Sequence, residues 1–278
     1  MKKVIIFGIS GTIGQALGRL LVDKNYDVYG TYNQNKPLLL NANKVSQLGI
    51  EQLDDLGRFL EKVKPDFVIM ALRGDFEKQL LFHQRTAEYL QLKDGRMVFC
   101  STANVFDGAI DSPHYEEDEP KAFSDYGQYK IECERVMAEY LHDSLAVVRI
   151  PTILGKHSPR INELRQKIEE RIPIDIYTNL YSTRNSDVML AKQIEYILNH
   201  WLPGIFHLAT SDIMNHSEFT KELVQRLGYS NVHFEEKVQD DFSGGVPTRY
   251  YNSLLSRKSL PNQLQLNHQQ LIDDLENK

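Results

Sequence analysis

Short apolar runs alternate with longer amphipathic stretches along the first half of the chain. The runs have the length of buried parallel strands, and they are Val4–Phe7, Val28–Thr31, Phe67–Ala71, Met97–Cys100 and Ala146–Ile150. In the stretches between them, apolar residues recur every three or four positions, as on one face of a helix. These stretches are Gly14–Asp23, Leu53–Val63, Leu80–Leu92 and Tyr126–Leu141. Strand and helix in alternation predict an α/β fold with a doubly wound parallel sheet.

The second half has a less regular pattern, without an internal repeat or a low-complexity linker. It predicts four helices, Ile161–Ile172, Val188–Asn199, His216–Leu227 and a last one near Asn267–Asn277, in the polar tail that begins at Thr248. A strand is predicted at Ile205–Ala209. Ser217 is the expected cap of the helix His216–Leu227. We expect one domain from residues 1–155 together with about 185–210. Residues 156–278 are expected to form mainly a smaller lobe, interleaved with the sheet.

Composition narrows the class of protein. The 278 residues are 41% hydrophobic and 25% charged, with a net charge of −6, which is ordinary for a globular chain and disfavours nucleic acid as a partner. Two cysteines are too few for a disulfide scaffold, and no apolar stretch reaches membrane-spanning length. The apolar run after Lys3 is too short for an export segment. We therefore expect a cytoplasmic protein.

A glycine-rich turn joins the first predicted strand to the first helix. It reads Gly8-Ile9-Ser10-Gly11-Thr12-Ile13-Gly14. Glycines at such a turn let a phosphate approach the backbone, and the following helix offers free N–H groups to a diphosphate. Glycines here also occur for purely structural reasons, and the spacing differs from the usual dinucleotide fingerprint. The position in the first strand–helix turn favours a dinucleotide site.

The end of the second strand bears on the choice of dinucleotide. The stretch from Tyr29 to Asn33 carries no carboxylate of the kind that NAD enzymes place there for the adenosine ribose, and Lys36 follows. Without a carboxylate, nothing repels a 2′-phosphate, so the pattern leans towards NADP over NAD. Lys36 is equally well explained as a solvated loop residue.

A tyrosine and a lysine lie one turn apart at the start of the fourth helix. Tyr126 and Lys130 share a helix face, whereas Tyr129 points elsewhere and is expected to pack. A neighbouring ammonium lowers the pKa of a phenol, as a general acid requires. Upstream, the strand ending at Cys100 is followed by Ser101 and Thr102, at the sheet edge where α/β folds bind ligands. Each feature alone has a structural explanation, and their combination favours a catalytic site.

The sequence resembles the extended branch of the short-chain dehydrogenase/reductase superfamily. Within it, the chain is similar to nucleotide-sugar reductases of the dTDP-4-dehydrorhamnose reductase type. The matching segments run through almost the whole chain: Gly8–Gly14, Lys64–Ile69, Ser101–Gly108, Tyr126–Lys130, Val148-Arg149, Gly204–Ala209 and Arg249–Asn252. The resemblance implies a Rossmann-type sheet with a C-terminal substrate lobe. It also implies reduction of a keto sugar carried on a nucleoside diphosphate.

The resemblance assigns roles to individual residues. Thr102 would bind the substrate carbonyl oxygen, Tyr126 would protonate it, and Lys130 would hold the ribose and acidify the tyrosine. The implied cofactor-binding residues are Gly8, Ser10, Gly11, Thr12, Ile13, Gly14, Tyr32, Asn33, Ile50, Ala71, Leu72, Tyr126 and Lys130. Ala103, Asn104 and Arg249 would contact the substrate. Candidates for its diphosphate are Arg160, Arg184, Arg249 and Arg257, although each is also explained by a surface salt bridge.

The chain departs from the family where substrate is recognised. Relatives usually have Asn-Ala-Ala and a longer loop after the fourth strand, whereas this chain has Met70-Ala71-Leu72-Arg73-Gly74-Asp75 and a shortened segment. Ala103 replaces the family's Asp after the catalytic threonine, Pro151-Thr152 replaces a pocket aromatic, and Gly49 beside Ile50 replaces the adenine-side Asp. These changes disfavour a standard rhamnose-pathway enzyme.

Two other functions stay open from the sequence. An epimerase or dehydratase would retain NAD, but it generally needs a further acid/base pair that the sequence does not identify. A nucleotide-sensing or regulatory protein would keep the fold without the chemistry, as the changed substrate motifs allow. No metal is expected, Glu116–Glu119 is expected to be a solvated loop, and Cys100 is expected to be a core residue. If the chain forms an assembly, we expect a homodimer.

Overall fold

The computed structural model describes residues 1–35, 41–241, 244–258 and 260–276. Its fourteen described strands are, in chain order, β1 (Lys3–Phe7), β2 (Asp27–Tyr32), β3 (Val45–Gln47), β4 (Phe67–Met70), β5 (Arg96–Thr102), β6 (Leu145–Ile150), β7 (Thr152–Leu154), β8 (Ile174–Tyr177), β9 (Leu180–Ser182), β10 (Arg184–Ser186), β11 (Gly204–His207), β12 (Met214–Asn215), β13 (Phe234–Lys237) and β14 (Tyr250–Asn252). The eight described α-helices are α1 (Thr12–Asp23), α2 (Leu53–Val63), α3 (Phe76–Leu92), α4 (Asp125–Leu141), α5 (Pro159–Glu169), α6 (Asp187–His200), α7 (His216–Arg226) and α8 (His268–Glu276).

A seven-stranded parallel sheet dominates the first half, as the hydrophobic pattern predicts. Its strand order is β11-β6-β5-β4-β1-β2-β3. The order reverses direction after β1, the first strand, which is the Rossmann arrangement. β1 and β4 are neighbours, with Phe7 opposite Met70, so the turns that follow these two strands lie side by side. Residues of β1 and β4 are almost fully buried, since helices cover both faces of such a sheet.

The chain divides into two compact units. The sheet unit contains residues 1–101, 128–148 and 190–206, and the second unit contains residues 102–127, 149–189 and those from 207 onward. The core of the sheet unit packs apolar faces of α2, α3 and α4, through side chains such as Leu60, Phe82 and Met137. The second unit has its own core, in which Ile161, Leu223 and Leu271 take part.

Two predicted features of the second unit are wrong in detail. The helix predicted to reach Ile172 ends at Glu169, because Arg171 adopts a left-handed φ of 58° and leaves Ile172 exposed. The cap of α7 is Asn215 rather than Ser217, since the Asn215 side chain accepts hydrogen bonds from the backbone N–H groups of Ser217 and Glu218. An amide oxygen at this position satisfies N–H groups of the first turn.

A cavity of about 450 Å³ opens at the amino-terminal edge of the large sheet, beside Asp66, Tyr89 and Arg96. It therefore lies at the opposite edge of the sheet from the turns that follow β1, β4 and β5. None of the helices in the described ranges combines the length and apolar character needed to cross a membrane.

Candidate active site

The turn after β1 requires glycine at two positions. Gly8 has a φ of +86°, and a Cβ there would lie 2.5 Å from the carbonyl oxygen of Ala71. A Cβ on Gly14 would lie 2.3 Å from the carbonyl oxygen of Gly8. Neither position has room for a larger residue, so the turn packs closely against the turn after β4. The outer surface of the turn therefore consists of backbone atoms at these positions.

The amino-terminal end of α1 presents backbone N–H groups without competing acids. Gly11 is the exposed N-cap residue, and within the described chain no side chain caps it. The first turn contains no carboxylate, and Thr12 and Ile13 are half-buried. The side chain of Gln15 donates to the carbonyl oxygen of Ser10 over 2.8 Å, which holds the turn in place. The open N–H groups and positive dipole end suit a phosphate.

The other predicted cofactor residues lie after strands of the same sheet unit. Tyr32 ends β2 and is half-buried, Asn33 is exposed, and Ile50 follows β3. Ala71 and Leu72 follow β4, where the N–H of Ala71 donates to the carbonyl oxygen of Phe7 over 3.0 Å. All five therefore lie at the carboxyl edge of the sheet. Lys36 lies outside the described residues.

Lys130 is a buried cation, only 5% exposed. Its Nζ donates to the carbonyl oxygen of Cys100 over 3.0 Å and lies 4.7 Å from the ring centre of Phe99. Burial lowers the pKa of Lys130, and two charged residues act on it in opposite directions: Glu134 raises this pKa, whereas Arg73 lowers it. Lys130 is thus fixed at the carboxyl end of β5, one helical turn from Tyr126 in α4.

A buried carboxylate outside the sequence motifs fixes the end of β5. Glu134 lies one turn beyond Lys130 in α4 and accepts a hydrogen bond from the Ser101 hydroxyl. Both side chains are buried. Because Ser101 directly precedes Thr102, this bond ties the helix that carries Lys130 to the strand that leads to Thr102. In the sequence, only its spacing of four residues from Lys130, which puts both on one helix face, indicated that Glu134 lies near the site.

Thr102 begins a short turn that contains the predicted substrate residues. Its hydroxyl accepts from the backbone N–H of Asn104 over 3.2 Å and donates to the side-chain oxygen of Asn104 over 3.2 Å. Ala103 is buried and Asn104 is half-buried. Thr102 therefore caps this turn, which is the structural role that the sequence also allowed. To donate to a ligand instead, the hydroxyl would exchange its bond to the Asn104 side chain.

Asp107 fixes the loop that precedes Tyr126. Its carboxylate accepts from the backbone N–H of Phe123 over 2.7 Å and from both the N–H and the hydroxyl of Ser124. Gly127 then allows close packing, since a Cβ there would lie 2.4 Å from the carbonyl oxygen of Asn104. Tyr126, 39% exposed, is thereby placed beside the Thr102–Asn104 turn. The sequence motif contained Asp107 but gave no signal of this role.

Tyr129 and Cys100 pack in the core, as predicted. The Tyr129 ring stacks on Phe76 with 4.7 Å between ring centres, and its hydroxyl lies 3.2 Å from His83 Nε2. Burial raises the pKa of the Cys100 thiol to about 12, which keeps it protonated and unreactive.

The four candidate arginines have different surroundings. Arg184 is buried, its guanidinium lies 3.0 Å from His268 Nε2 and 3.9 Å from the ring centre of Phe219, and burial lowers its pKa to about 9. Arg257 forms an ion pair with Glu117. Arg249 is exposed and donates to the Tyr251 hydroxyl over 3.3 Å, and Arg160 is exposed. Arg184 is therefore enclosed by its own unit, whereas Arg160 and Arg249 are accessible.

The acidic segment is only partly solvated, so that expectation is wrong for Glu116. Its carboxylate is buried and accepts from the backbone N–H groups of His207 and Arg257 and from the Ser256 hydroxyl. These bonds hold together distant segments of the second unit. In the described ranges, no group of three or more metal-ligating side chains forms a metal site.

The strand order and the glycine turn define a Rossmann-type α/β protein. The family model described as the RmlD substrate binding domain matches residues 75–276. The chain belongs to this family, which agrees with the resemblance drawn from its motifs.

Two curated proteins illustrate the range of relatives. A dTDP-4-keto-6-deoxy-D-glucose reductase of Streptomyces niveus is 24% identical over 151 residues, covering 54% of this chain and 52% of that protein. This match thus spans about half the length of the relative. The spore coat polysaccharide biosynthesis protein SpsK of Bacillus subtilis is 22% identical over 275 residues, covering 94% of this chain and 91% of that protein.

Solved structures share the fold over nearly the whole chain. The dTDP-4-dehydrorhamnose reductase of Bacillus anthracis, in complex with NADP, has a TM-score of 0.78 at 19% identity and covers 99% of this chain and 98% of its own. The enzyme WbmH of Bordetella bronchiseptica, in complex with NAD⁺, has a TM-score of 0.76 at 18% identity and covers 100% of this chain and 93% of its own.

Proposed function

We propose that the protein is an NAD(P)H-dependent reductase of a carbonyl group on a nucleotide-linked sugar. The observation that carries the proposal is the buried ammonium of Lys130 at the carboxyl end of β5, one helical turn from the accessible Tyr126. A cation in this position acidifies a phenol without taking the phenol's place at a substrate. Family membership and the reductases among its relatives support the same activity.

The glycine turn fits the diphosphate of a nicotinamide dinucleotide. Its backbone leaves no room for a side chain at Gly8 or Gly14, and α1 directs its N–H groups outward beside Gly11. Ser10, Thr12 and Ile13 would complete the phosphate site, while the residues after β2, β3 and β4 would contact the rest of the dinucleotide. When bound, the reduced nicotinamide supplies the hydride that the carbonyl carbon receives. The absence of an acid after β2 favours NADP, and NAD remains the alternative.

The chain's own residues handle the carbonyl oxygen and the proton. Thr102 donates a hydrogen bond to this oxygen, and Tyr126 transfers its phenolic proton to the same atom as the alcohol forms. Lys130 stabilises the resulting phenolate and holds ribose hydroxyls. Solvent then returns a proton to Tyr126, which restores the starting state.

Substrate recognition is assigned mainly to the second unit. Ala103 and Asn104 adjoin Thr102, and the accessible Arg249 is the natural contact for a diphosphate. Residues 1–155 with about 185–210 would serve the dinucleotide, and residues 156–278 mainly the sugar nucleotide. We place the activity in the cytoplasm, and a homodimer is a further part of the proposal.

A turnover assay separates this function from its alternatives. Purified protein is mixed with NADPH or NADH and with dTDP-4-keto-6-deoxy-D-glucose, and nicotinamide absorbance is followed. Net oxidation of the cofactor supports the reductase. Altered sugar without net cofactor oxidation would favour an epimerase or dehydratase. Binding without any turnover on a broad panel of nucleotide-linked keto sugars would favour a sensor.

Replacing Gly11 tests the phosphate site apart from folding. Asp fits the N-cap backbone (φ −75°, ψ 167°), where the new Cβ meets its first neighbour at 3.4 Å. As an N-cap it is better than glycine by roughly a few tenths of a kcal/mol. Its charge repels a diphosphate, so Gly11→Asp is expected to weaken NADPH binding at least about tenfold while melting temperature holds or rises. Gly11→Asn, a neutral cap of the same shape, is the control. Equal affinities of the two variants would contradict the assignment.

The pH profile of kcat/KM is expected to fall on the alkaline side. Reduction needs a protonated Tyr126 and a charged Lys130, and burial lowers the pKa of Lys130, so the fall begins below the range in which exposed lysines titrate. Glu134 raises this pKa, so Glu134→Gln moves the fall to lower pH, whereas Arg73→Gln moves it to higher pH. Shifts in the same direction would contradict this account.

A further inference from the structure

Arg73 is an exposed cation at the carboxyl edge of the sheet, in the segment that departs from the family pattern. It follows Ala71 and Leu72 directly after β4, beside the glycine turn, since Ala71 contacts Gly8. Across the described residues, its guanidinium has neither an ion pair nor a hydrogen bond. The planar donors of a guanidinium match the oxygen atoms of a phosphate or a carboxylate.

The loop that carries Arg73 is held in place. The buried side chain of Gln79 donates to the carbonyl oxygen of Gly74 over 2.7 Å, and Asp75 caps α3 by accepting from the N–H of Lys78. A Cβ on Gly74 would lie 3.0 Å from the side chain of Ile50, so this loop packs on the turn after β3. Arg73 therefore projects from a fixed backbone, and its position does not depend on a mobile loop.

Arg73 and Lys130 are two cations at this edge of the sheet, and Asp75 and Glu134 are acidic residues near them. Arg73 lies close enough to the buried Lys130 to lower its pKa. Asp75 is engaged at the cap of α3, and Glu134 is engaged with Ser101. The two cations repel each other. An anionic group of a bound ligand that contacts Arg73 would reduce this repulsion.

We propose that Arg73 is an anion-binding residue of the active site, which contacts a phosphate or carboxylate group of a bound ligand. This inference rests on the proposed function and deepens it. The anion has two possible sources, the diphosphate of the dinucleotide and an acidic group of the substrate, such as its own diphosphate.

Binding measurements on the intact protein test the proposal. NADPH is titrated into the wild type, Arg73→Gln and Arg73→Lys by nicotinamide fluorescence, and dTDP is then titrated into the dinucleotide-saturated proteins by calorimetry. Arg19→Gln, which removes an exposed arginine on α1 of the same unit, is the matched control. Loss of one charge-assisted bond predicts a roughly tenfold higher Kd in Arg73→Gln, partial recovery in Arg73→Lys, and a smaller difference at high salt.

The outcomes identify the source of the anion. A higher Kd for NADPH assigns Arg73 to the dinucleotide, and an unchanged Kd for NADPH with a higher Kd for dTDP assigns it to the substrate. If Arg73→Gln changes neither affinity more than Arg19→Gln does, the role of Arg73 is overturned while the proposed function stands. If the wild type itself binds neither NADPH nor NADH, the proposed function fails and this inference fails with it.

Discussion

Replacing Tyr126 with phenylalanine is expected to lower kcat by about two to four orders of magnitude while the Kd for the dinucleotide changes little. The reason is that the hydroxyl acts on the reacting oxygen, and positioned proton donors contribute rate factors of this size. The ring itself is retained at a position that is 39% exposed, so folding is not at stake. Steady-state kinetics with saturating cofactor, together with fluorescence titration, measure both quantities.

Tyr129→Phe is the matched control for this prediction. It removes a hydroxyl from the same helix, but one that lies near His83 in the core. This variant is expected to lose some stability and to keep most of its kcat. If Tyr126→Phe retained substantial activity, or lost no more than Tyr129→Phe at equal folded fraction, Tyr126 would have no place in the mechanism.

Replacing Lys130 with methionine is expected to reduce kcat/KM at least about a hundredfold and to weaken dinucleotide binding as well. Unlike Tyr126, Lys130 is assigned two functions, acidifying the phenol and holding the ribose. Stability is expected to fall, because the buried Glu134 and the carbonyl oxygen of Cys100 lose the cation near them, which outweighs the desolvation cost that methionine removes. Kinetics, cofactor titration and chemical denaturation measure the three effects.

Lys62→Met, which changes an exposed lysine on α2, is the control for this variant. It is expected to leave both kinetics and stability nearly unchanged. A large loss of stability in Lys130→Met with normal turnover of the remaining folded protein would make Lys130 a structural residue, held by its bond to Cys100.

The sheet unit follows closely from the sequence. Its strands are apolar runs buried on both faces, and its helices carry apolar stripes, so two different periods mark the elements one after another. The predicted helix Leu53–Val63 has the observed bounds, and the observed strand Leu145–Ile150 begins one residue before the prediction. Alternating strands and helices leave few topologies, which is why the doubly wound sheet was predictable.

The second unit was less predictable because its strands are short. β9, β10 and β14 have three residues each, and β12 has two. Runs of this length show no periodicity, and they become strands only because distant segments pair, as Tyr250 does with Leu180. The ending of the helix before Arg171 also depends on a local turn that the apolar pattern does not reveal.

In the candidate site, too, residues in local motifs were predictable and residues with distant partners were not. Gly8, Thr102, Tyr126 and Lys130 belong to local motifs with a chemical meaning that can be read from spacing. Residues that act through distant partners had no such signal: Asp107 holds a loop sixteen residues further on, and Glu134 reaches Ser101 across 33 residues. Glu116 looked like part of a solvated acidic run because its partners, such as Ser256, lie far along the chain.

Isotope transfer shows whether the hydride of the dinucleotide reaches the sugar. The protein is incubated with dTDP-4-keto-6-deoxy-D-glucose and with NADPH that carries deuterium at C4 of the nicotinamide in either configuration, and the sugar product is analysed by mass spectrometry. We expect one of the two cofactors to place a single deuterium on the former carbonyl carbon, in an amount equal to the cofactor oxidised. A converted sugar without deuterium and with the cofactor left reduced would contradict this expectation.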